Sequence, residues 1–414
     1  MKNLILFSLI ILTSVLNQAQ NNDTTENKQL FNLSGYVKND FFWDSRQTVS
    51  AREGHFLLWP TSRNEDLEGN DINAVPSFNY LSLQSRLSFT WKGTKALGAH
   101  ISAKIESDFF AQNNENINLF RLRHAYAKMK WEHTELLLGQ YWIPMFTTEC
   151  FPGTVSFNTG TPFNPFGRNP QIRLSHSLGN IKLTAVANSQ RDYSSRGPDG
   201  TSGKYLSNSF LPEITGIINY KKGTFSSGFG AAFKKIVPQL VTDQGFATQQ
   251  TLTSYSAFGY IKLKTSNLSV KLKGIYGQNT PDYLSISGFA VTKYDFLKGY
   301  QEYEPISNIS AWTDISTNGD EWQIGIFGGY TKNLGTKSAI VGDIYGLGTN
   351  IANLYRVSPR LVYKAGKMRF ASEIEYTVAD YGTSFDSNNI AITTQQTANF
   401  RLLFSVYYFF DTKK

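Results

Sequence analysis

The chain has 414 residues, 40 Lys and Arg against 32 Asp and Glu, and a single cysteine, Cys150, so no internal disulfide can form. Its mean hydropathy of −0.30 matches a soluble protein, yet a transmembrane barrel gives the same average because polar inward residues alternate with apolar outward ones. Past residue 19 no apolar run approaches the roughly 20 residues of a spanning helix, which argues against a helical anchor.

Met1 to Ala19 reads as a cleaved secretory signal, with Lys2, an apolar run from Leu4 to Leu16 and the small Ala19. Removing Lys2 with it leaves 39 basic against 32 acidic residues. Residues 20–28 then form a short periplasmic segment, too short for a plug domain, and residues 29–414 a single barrel domain. The first strand, Phe31 to Trp43, alternates Phe31, Leu33, Val37, Phe41 and Trp43 with Asn32, Ser34, Lys38 and Asp40. A long loop to about Pro76 carries Glu65, Asp66, Glu68 and Asp71, which read as a calcium site or as a solvated acidic loop; the spacing is not that of an EF-hand.

Tyr80 to Trp91 returns with Leu81, Leu83, Leu87, Phe89 and Trp91 outward and Ser82, Gln84, Arg86 and Ser88 inward. Ala99 to Phe109 places His100, Lys104, Glu106 and Asp108 inward. In Leu119 to Trp131 the alternation slips, because Arg121 and Arg123 share parity with Ala125, Ala127 and Met129, and this predicts a β-bulge near His124. Leu136 to Ile143 leads into a long loop, Pro144 to Pro170, after which Gln171 to Leu178 and Ile181 to Gln190 flank a tight turn at Gly179 and Asn180. Further strands fall near 213–220, 225–234, 253–265, 268–279, 321–330, 338–345, 354–364 and 368–380. Pro359 predicts a second bulge, and Asp282 to Asp320 is long enough to hide a hairpin.

Short turns at 221–224, 266–267 and 365–367 alternate with long loops at 191–211, 235–252 and 280–320. A soluble sandwich has no reason to sort its loops by length, whereas outer-membrane barrels have short periplasmic turns and long outer loops. The lysines at turns, Lys92, Lys95, Lys221, Lys222, Lys332, Lys337, Lys364, Lys367, Lys413 and Lys414, are expected to face the periplasmic leaflet.

The last strand, Ala398 to Phe410, puts Ala398, Phe400, Leu402, Phe404, Val406, Tyr408 and Phe410 on one wholly apolar face. This resembles the closing strand of bacterial outer-membrane β-barrels, in which terminal aromatics, here Tyr408 and Phe410, form the assembly signal. The fold class is therefore all-β, a closed antiparallel transmembrane barrel of about sixteen strands. The RLRHAYAKM strand and the LLLGQYWIP stretch with the loop after it are similar to the equivalent region of Bacteroidetes porins and of the DcaP-like and phosphate-selective porin families. The resemblance implies a third loop that folds inward, here with Pro144, Phe151, Pro152, Phe163, Phe166 and Arg168 as constriction residues, although a lysine cluster is missing from it. An outward, non-gating loop is the other reading.

Arg86, Arg121, Arg123, Arg173, Arg356, Arg360, Arg369 and Arg401 all fall on inward parity. They read either as an arginine ladder that attracts anions or as braces paired with Glu106, Asp108, Glu373 and Glu375, with Lys104 also on the channel face. No GxSxG, HExxH, P-loop or zinc spacing is present, and the five His are scattered, so no catalytic centre, metal or other cofactor is expected. The expected function is passive diffusion of small hydrophilic, anionic solutes. A channel for one anionic nutrient class, an adhesion or complex-forming barrel without an open pore, and a barrel enzyme are the alternatives. The resemblance further implies a homotrimer in lipid and lipopolysaccharide, inserted by the barrel-assembly machinery, with no nucleic-acid partner.

Overall fold

A sheet whose every strand alternates apolar and polar residues can satisfy all its backbone groups in lipid only by closing on itself. The computed structural model, which describes residues 30–111 and 114–412, shows that closure. The expected signal, the segment 20–28, and Lys413 and Lys414 lie outside the described residues.

Sixteen antiparallel strands form the wall. They are β1 (Leu30–Asp44), β2 (Arg86–Ala96), β3 (Ala99–Asp108), β4 (Arg121–Lys130), β5 (Thr134–Trp142), β6 (Arg168–Leu178), β7 (Ile181–Asn188) and β8 (Glu213–Lys222). The second half comprises β9 (Phe225–Ile236), β10 (Leu252–Lys264), β11 (Leu268–Gln278), β12 (Gln301–Thr317), β13 (Trp322–Gly335), β14 (Ile351–Ala365), β15 (Met368–Phe385) and β16 (Ala391–Asp411). Each pairs with its neighbour in sequence, and β16 returns to β1 with Ser34 opposite Asp411 and Asp44 opposite Arg401. Turns such as Leu97–Gly98, both at positive φ (51° and 72°), close one end; the long loops gather at the other.

The alternation does what the sequence pattern requires. On β16, Phe400, Leu402, Phe404 and Tyr408 are exposed on the outside, whereas Asn399, Arg401 and Ser405 are buried inside. The interior is less wet than the pattern implies, since Leu403 and Tyr407 pack inward with Phe42, Val155 and Ala371.

Four local expectations are corrected. The strand expected near 338–345 is not one of the wall strands: the short strand Ile344–Leu347 pairs instead with Ser287–Tyr294 of the sixth loop. In its place stands β12, the second arm of the hairpin that Asp282 to Asp320 was long enough to hide; because only that arm enters the wall, the total of sixteen holds and β13 runs opposite to the direction implied. Lys332 and Lys337 consequently lie at the long-loop end. Pro359 carries no bulge, because its register with β13 is unbroken and that with β15 resumes unshifted at Arg360; one missing ladder hydrogen bond is tolerated in place. Leu83 faces inward, because a short arm, Ser77–Leu81, continues the line of β2 and the chain breaks at Ser82 to Ser85, four residues opposite three of β1. The bulge near His124 is present, with Arg123 as the extra residue between Glu106 opposite His124 and Ser107 opposite Leu122.

Candidate functional site

The third loop, between β5 and β6, crosses the lumen. Its polar backbone cannot be left unpaired there, and the far wall supplies partners. Lys262 Nζ donates to the Glu149 carbonyl at 2.9 Å, Lys271 Nζ to that of Phe151 at 2.9 Å, and Arg356 Nη1 to that of Thr161 at 3.0 Å. Lys273 Nζ donates to the Met145 carbonyl and to Thr147 Oγ1 at 3.1 Å. In the other direction Gly153 N–H donates to Asp314 Oδ2 at 3.1 Å, Val155 N–H and Ser156 N–H to Glu373 Oε2, and Asn158 Nδ2 to Glu375 Oε2 at 2.7 Å.

The loop's apolar side fills the middle of the barrel. Phe157, Phe163 and Phe166 are buried, and Phe56 packs edge-on against Phe157 and tilted against Phe166, with ring centroids 5.3 Å away in each case. Phe56 belongs to a first-loop hairpin, Thr48–Ala51 with Phe56–Pro60, which is also inserted: Arg356 Nη2 donates to the Leu58 carbonyl at 2.7 Å and the Tyr381 hydroxyl to that of Pro60 at 2.9 Å. The sixth loop joins them where Phe166 N–H donates to the Tyr283 carbonyl at 3.1 Å. Of the residues expected at a constriction, Pro144 opens a buried 3-10 turn, Pro152, Phe163 and Phe166 are buried, Phe151 is exposed beneath Lys271, and Arg168 starts β6.

The eight inward arginines divide into two groups. Arg121 Nε lies 2.8 Å from Asp108, Arg123 contacts Glu106 at 2.9 Å and Asp108 at 2.7 Å, and Arg86 stands 3.7 Å from Glu106. Arg356 pairs with Glu375 at 3.3 Å, Arg360 with Asp314 at 2.7 Å and Arg401 with Asp44 at 2.5 Å. Arg173 and Arg369 have no carboxylate within ion-pair distance among the described residues; Arg173 donates to Gln171 and stacks on Tyr141, and Arg369 stacks on Phe409 and Tyr407. Glu373 braces loop backbone rather than an arginine.

Near β2–β4, five cations, Arg86, Lys104, Arg121, Arg123 and Arg168, share three carboxylates, Glu106, Asp108 and Asp192, and a sixth, Arg52, bonds the Tyr193 hydroxyl beside them. Below the third loop a second basic feature is a cavity of about 210 Å³ lined by Lys271, Arg360, Lys364 and Arg369 and by no carboxylate. Lys364, read from sequence as facing the leaflet, points into this cavity. Sequence reasoning missed Lys273, Asp314, Arg52 and Asp192; the inward parity of Lys271 and Lys273 on β11 was the one signal that could have found any of them.

Among the described residues, no three or more His, Cys, Asp or Glu side chains converge as metal ligands. In the acidic outer loop, Asp71 is taken by Arg46 at 3.1 Å and Asp66 accepts from the Asn70 and Glu68 amides. His55 Nε2 lies 2.6 Å from Asp40, but the Ser405 hydroxyl bonds Asp40 rather than the imidazole, and His55 Nδ1 has no partner. That is not a nucleophile–base–acid relay. Tyr408 and Phe410 lie on the outer face at the end of β16, with Gly35 opposite Phe410 across the seam.

The whole architecture has solved counterparts. The outer-membrane channel DcaP of Acinetobacter baumannii aligns over 94% of this chain and 99% of its own, with a TM-score of 0.69 at 16% identity. The fold is that of an outer-membrane porin. An anion-selective porin from Comamonas acidovorans aligns with a TM-score of 0.55 at 10% identity over 92% of this chain and all of its own. The outer-membrane-expressed OmpT of Vibrio cholerae gives 0.54 at 9% identity over 94% of this chain and all of its own. No protein-family model and no curated protein matches the sequence.

Proposed function

We propose that this chain is a porin of the bacterial outer membrane, passing small hydrophilic solutes by diffusion with a preference for anions. The observation that carries the preference is the surplus where the third loop narrows the lumen: five cations share three carboxylates, and Arg52 adds a sixth positive charge beside them. Fixed positive charge in a narrow, low-dielectric passage attracts anions, and screening over roughly 8 Å at physiological salt leaves that field effective only where the passage is narrow. The basic cavity beneath the third loop extends the same field toward the short-turn end.

The long loops then face outward and the short turns the periplasm. Lipid and lipopolysaccharide surround the apolar belt, the Tyr408–Phe410 end addresses the assembly machinery, and three copies associate as a trimer. Insertion of two loops into the lumen favours a second reading, a narrow channel adapted to one class of anionic nutrient. Planar-bilayer recording tests both. Ohmic steps with a zero-current potential on the anion side support the porin; a cation-preferring or silent wild type overturns it. Small steps blocked by particular anions single out the narrower channel.

A further inference from the structure

Asp192 sits in the fourth loop, not in the wall, and its carboxylate is ion-paired with two guanidinium groups and feels the charge of a third. Arg168 Nη2 donates to Oδ2 at 2.6 Å and Arg121 Nη1 stands 3.7 Å from Oδ1. Arg52, from the inserted first-loop hairpin, donates through Nη1 to the neighbouring Tyr193 hydroxyl at 3.1 Å, and stacks with Arg121 on Phe110, at 4.7 Å and 5.2 Å from its ring centre. Burial alone would raise the Asp192 carboxyl, but Arg168, Arg121 and Arg52 together hold it below the usual carboxylate range.

Two observations separate this carboxylate from the structural Asp108 nearby. Asp108 is fully buried and gripped by Arg121 at 2.8 Å and Arg123 at 2.7 Å, both from β4, whereas the Asp192 side chain retains 8% exposure and its loop is tied to the wall through Asn169 Oδ1. The guanidiniums around Asp192 are also incompletely used: Arg121 Nη1 and Nη2 and Arg168 Nη1 are buried with no hydrogen-bond partner. Buried charged donors left unpaired are costly, and one carboxylate does not satisfy this set.

We propose that Asp192 is a tethered counter-anion: it occupies an oxyanion site built by Arg52, Arg121 and Arg168, and a solute carboxylate or phosphate group entering the constriction takes its place. Asp192 thereby keeps the cage charged and ready while the channel is empty, and competes with weakly held ions. A guanidinium matches an oxyanion through paired N–H donors, so a solute able to use the idle donors outcompetes Asp192 where chloride does not. This rests on the porin reading.

The test is the full-length Asp192→Asn protein in planar bilayers, with inorganic phosphate as the probe. The variant should move the zero-current potential in a KCl gradient further to the anion side, and phosphate should retard its chloride current at about ten-fold lower concentration than in the wild type, the scale of one charge-assisted contact. Asp192→Glu should behave like the wild type, and Asp71→Asn, which removes an equal charge from the outer loop, should shift neither quantity. Asp192→Ser replaces Asp192→Asn if the latter does not give a heat-modifiable barrel. Half-block by phosphate within two-fold of wild type, or equal gains in potassium and chloride conductance that mark a loosened loop, overturns the proposal. A silent wild type instead overturns the porin reading, and that is known before any variant is made.

Discussion

Arg401 and Asp44 face each other across the seam that closes the barrel, directly opposite in register, with Nη2 and Oδ2 2.5 Å apart and both side chains buried. Arg401 Nη2 also donates to the Gly54 carbonyl at 2.8 Å, so the pair ties the first and last strands to the inserted hairpin. Asp44→Asn leaves a buried guanidinium half-compensated and should cost about 3–5 kcal/mol of barrel stability, the usual loss for one partner of a buried pair. The midpoint of urea unfolding, followed by heat-modifiable electrophoretic mobility, reads it. A midpoint equal to wild type would show that the seam is held by its backbone ladder alone.

Cys150 reports on the third loop. Burial pushes its thiol up to about 11 despite the neighbouring lysines, so the folded protein should react with maleimide very slowly at pH 8. Asp314→Asn removes the acceptor shared by Arg360 and the Gly153 amide, and should accelerate labelling at least ten-fold, about the effect of one charge-assisted hydrogen bond. Single-channel conductance should rise with it. Unchanged labelling in a folded variant would mean that the remaining anchors suffice.

The unpaired cations should govern selectivity more than the paired ones do. Arg369→Gln combined with Lys364→Gln strips charge from the basic cavity without orphaning any acid, and should shift the zero-current potential toward cations with little loss of stability. Arg356→Gln should act mainly on folding, because it frees Glu375 and two loop carbonyls. If the Arg356 variant instead folds normally and shifts selectivity more than the pair does, the division between brace and lure is wrong.

His55 predicts a pH dependence. Burial lowers its affinity for protons below that of an ordinary histidine, with Asp40 acting in the opposite sense and Lys38 and Arg401 adding to the decrease. The folded state therefore binds fewer protons here than the unfolded one, so this contribution is complete above the ordinary histidine value near 6.5 and fades as pH falls below it. Unfolding midpoints at pH 7.5 and pH 5 should differ more for wild type than for His55→Gln. A difference as large in the variant would assign the acid sensitivity to the carboxylates.

Period-two alternation is a local property, and together with the sorting of short turns and long loops it determined the barrel, its closing strand and a bulge near His124, since a slip of one residue flips every later side chain. The same rule failed where the local pattern lies: β12 turns Trp312 inward to bond Asn164, which blurs its alternation, while the apolar stretch near Val341 reads as a strand but belongs to a loop. Inward parity also assigned the eight arginines to the lumen. Their partners were beyond it, because Asp314 meets Arg360 only once strands two apart stand in one wall, and Gly153 reaches Asp314, and Asp192 reaches Arg168 and Arg121, only after loops far apart in the chain have folded into one enclosed space. Sequence parity decides which face a charge lies on; whether it is neutralised there depends on which strand or inserted loop brings a carboxylate to it, and only the tertiary structure decided that.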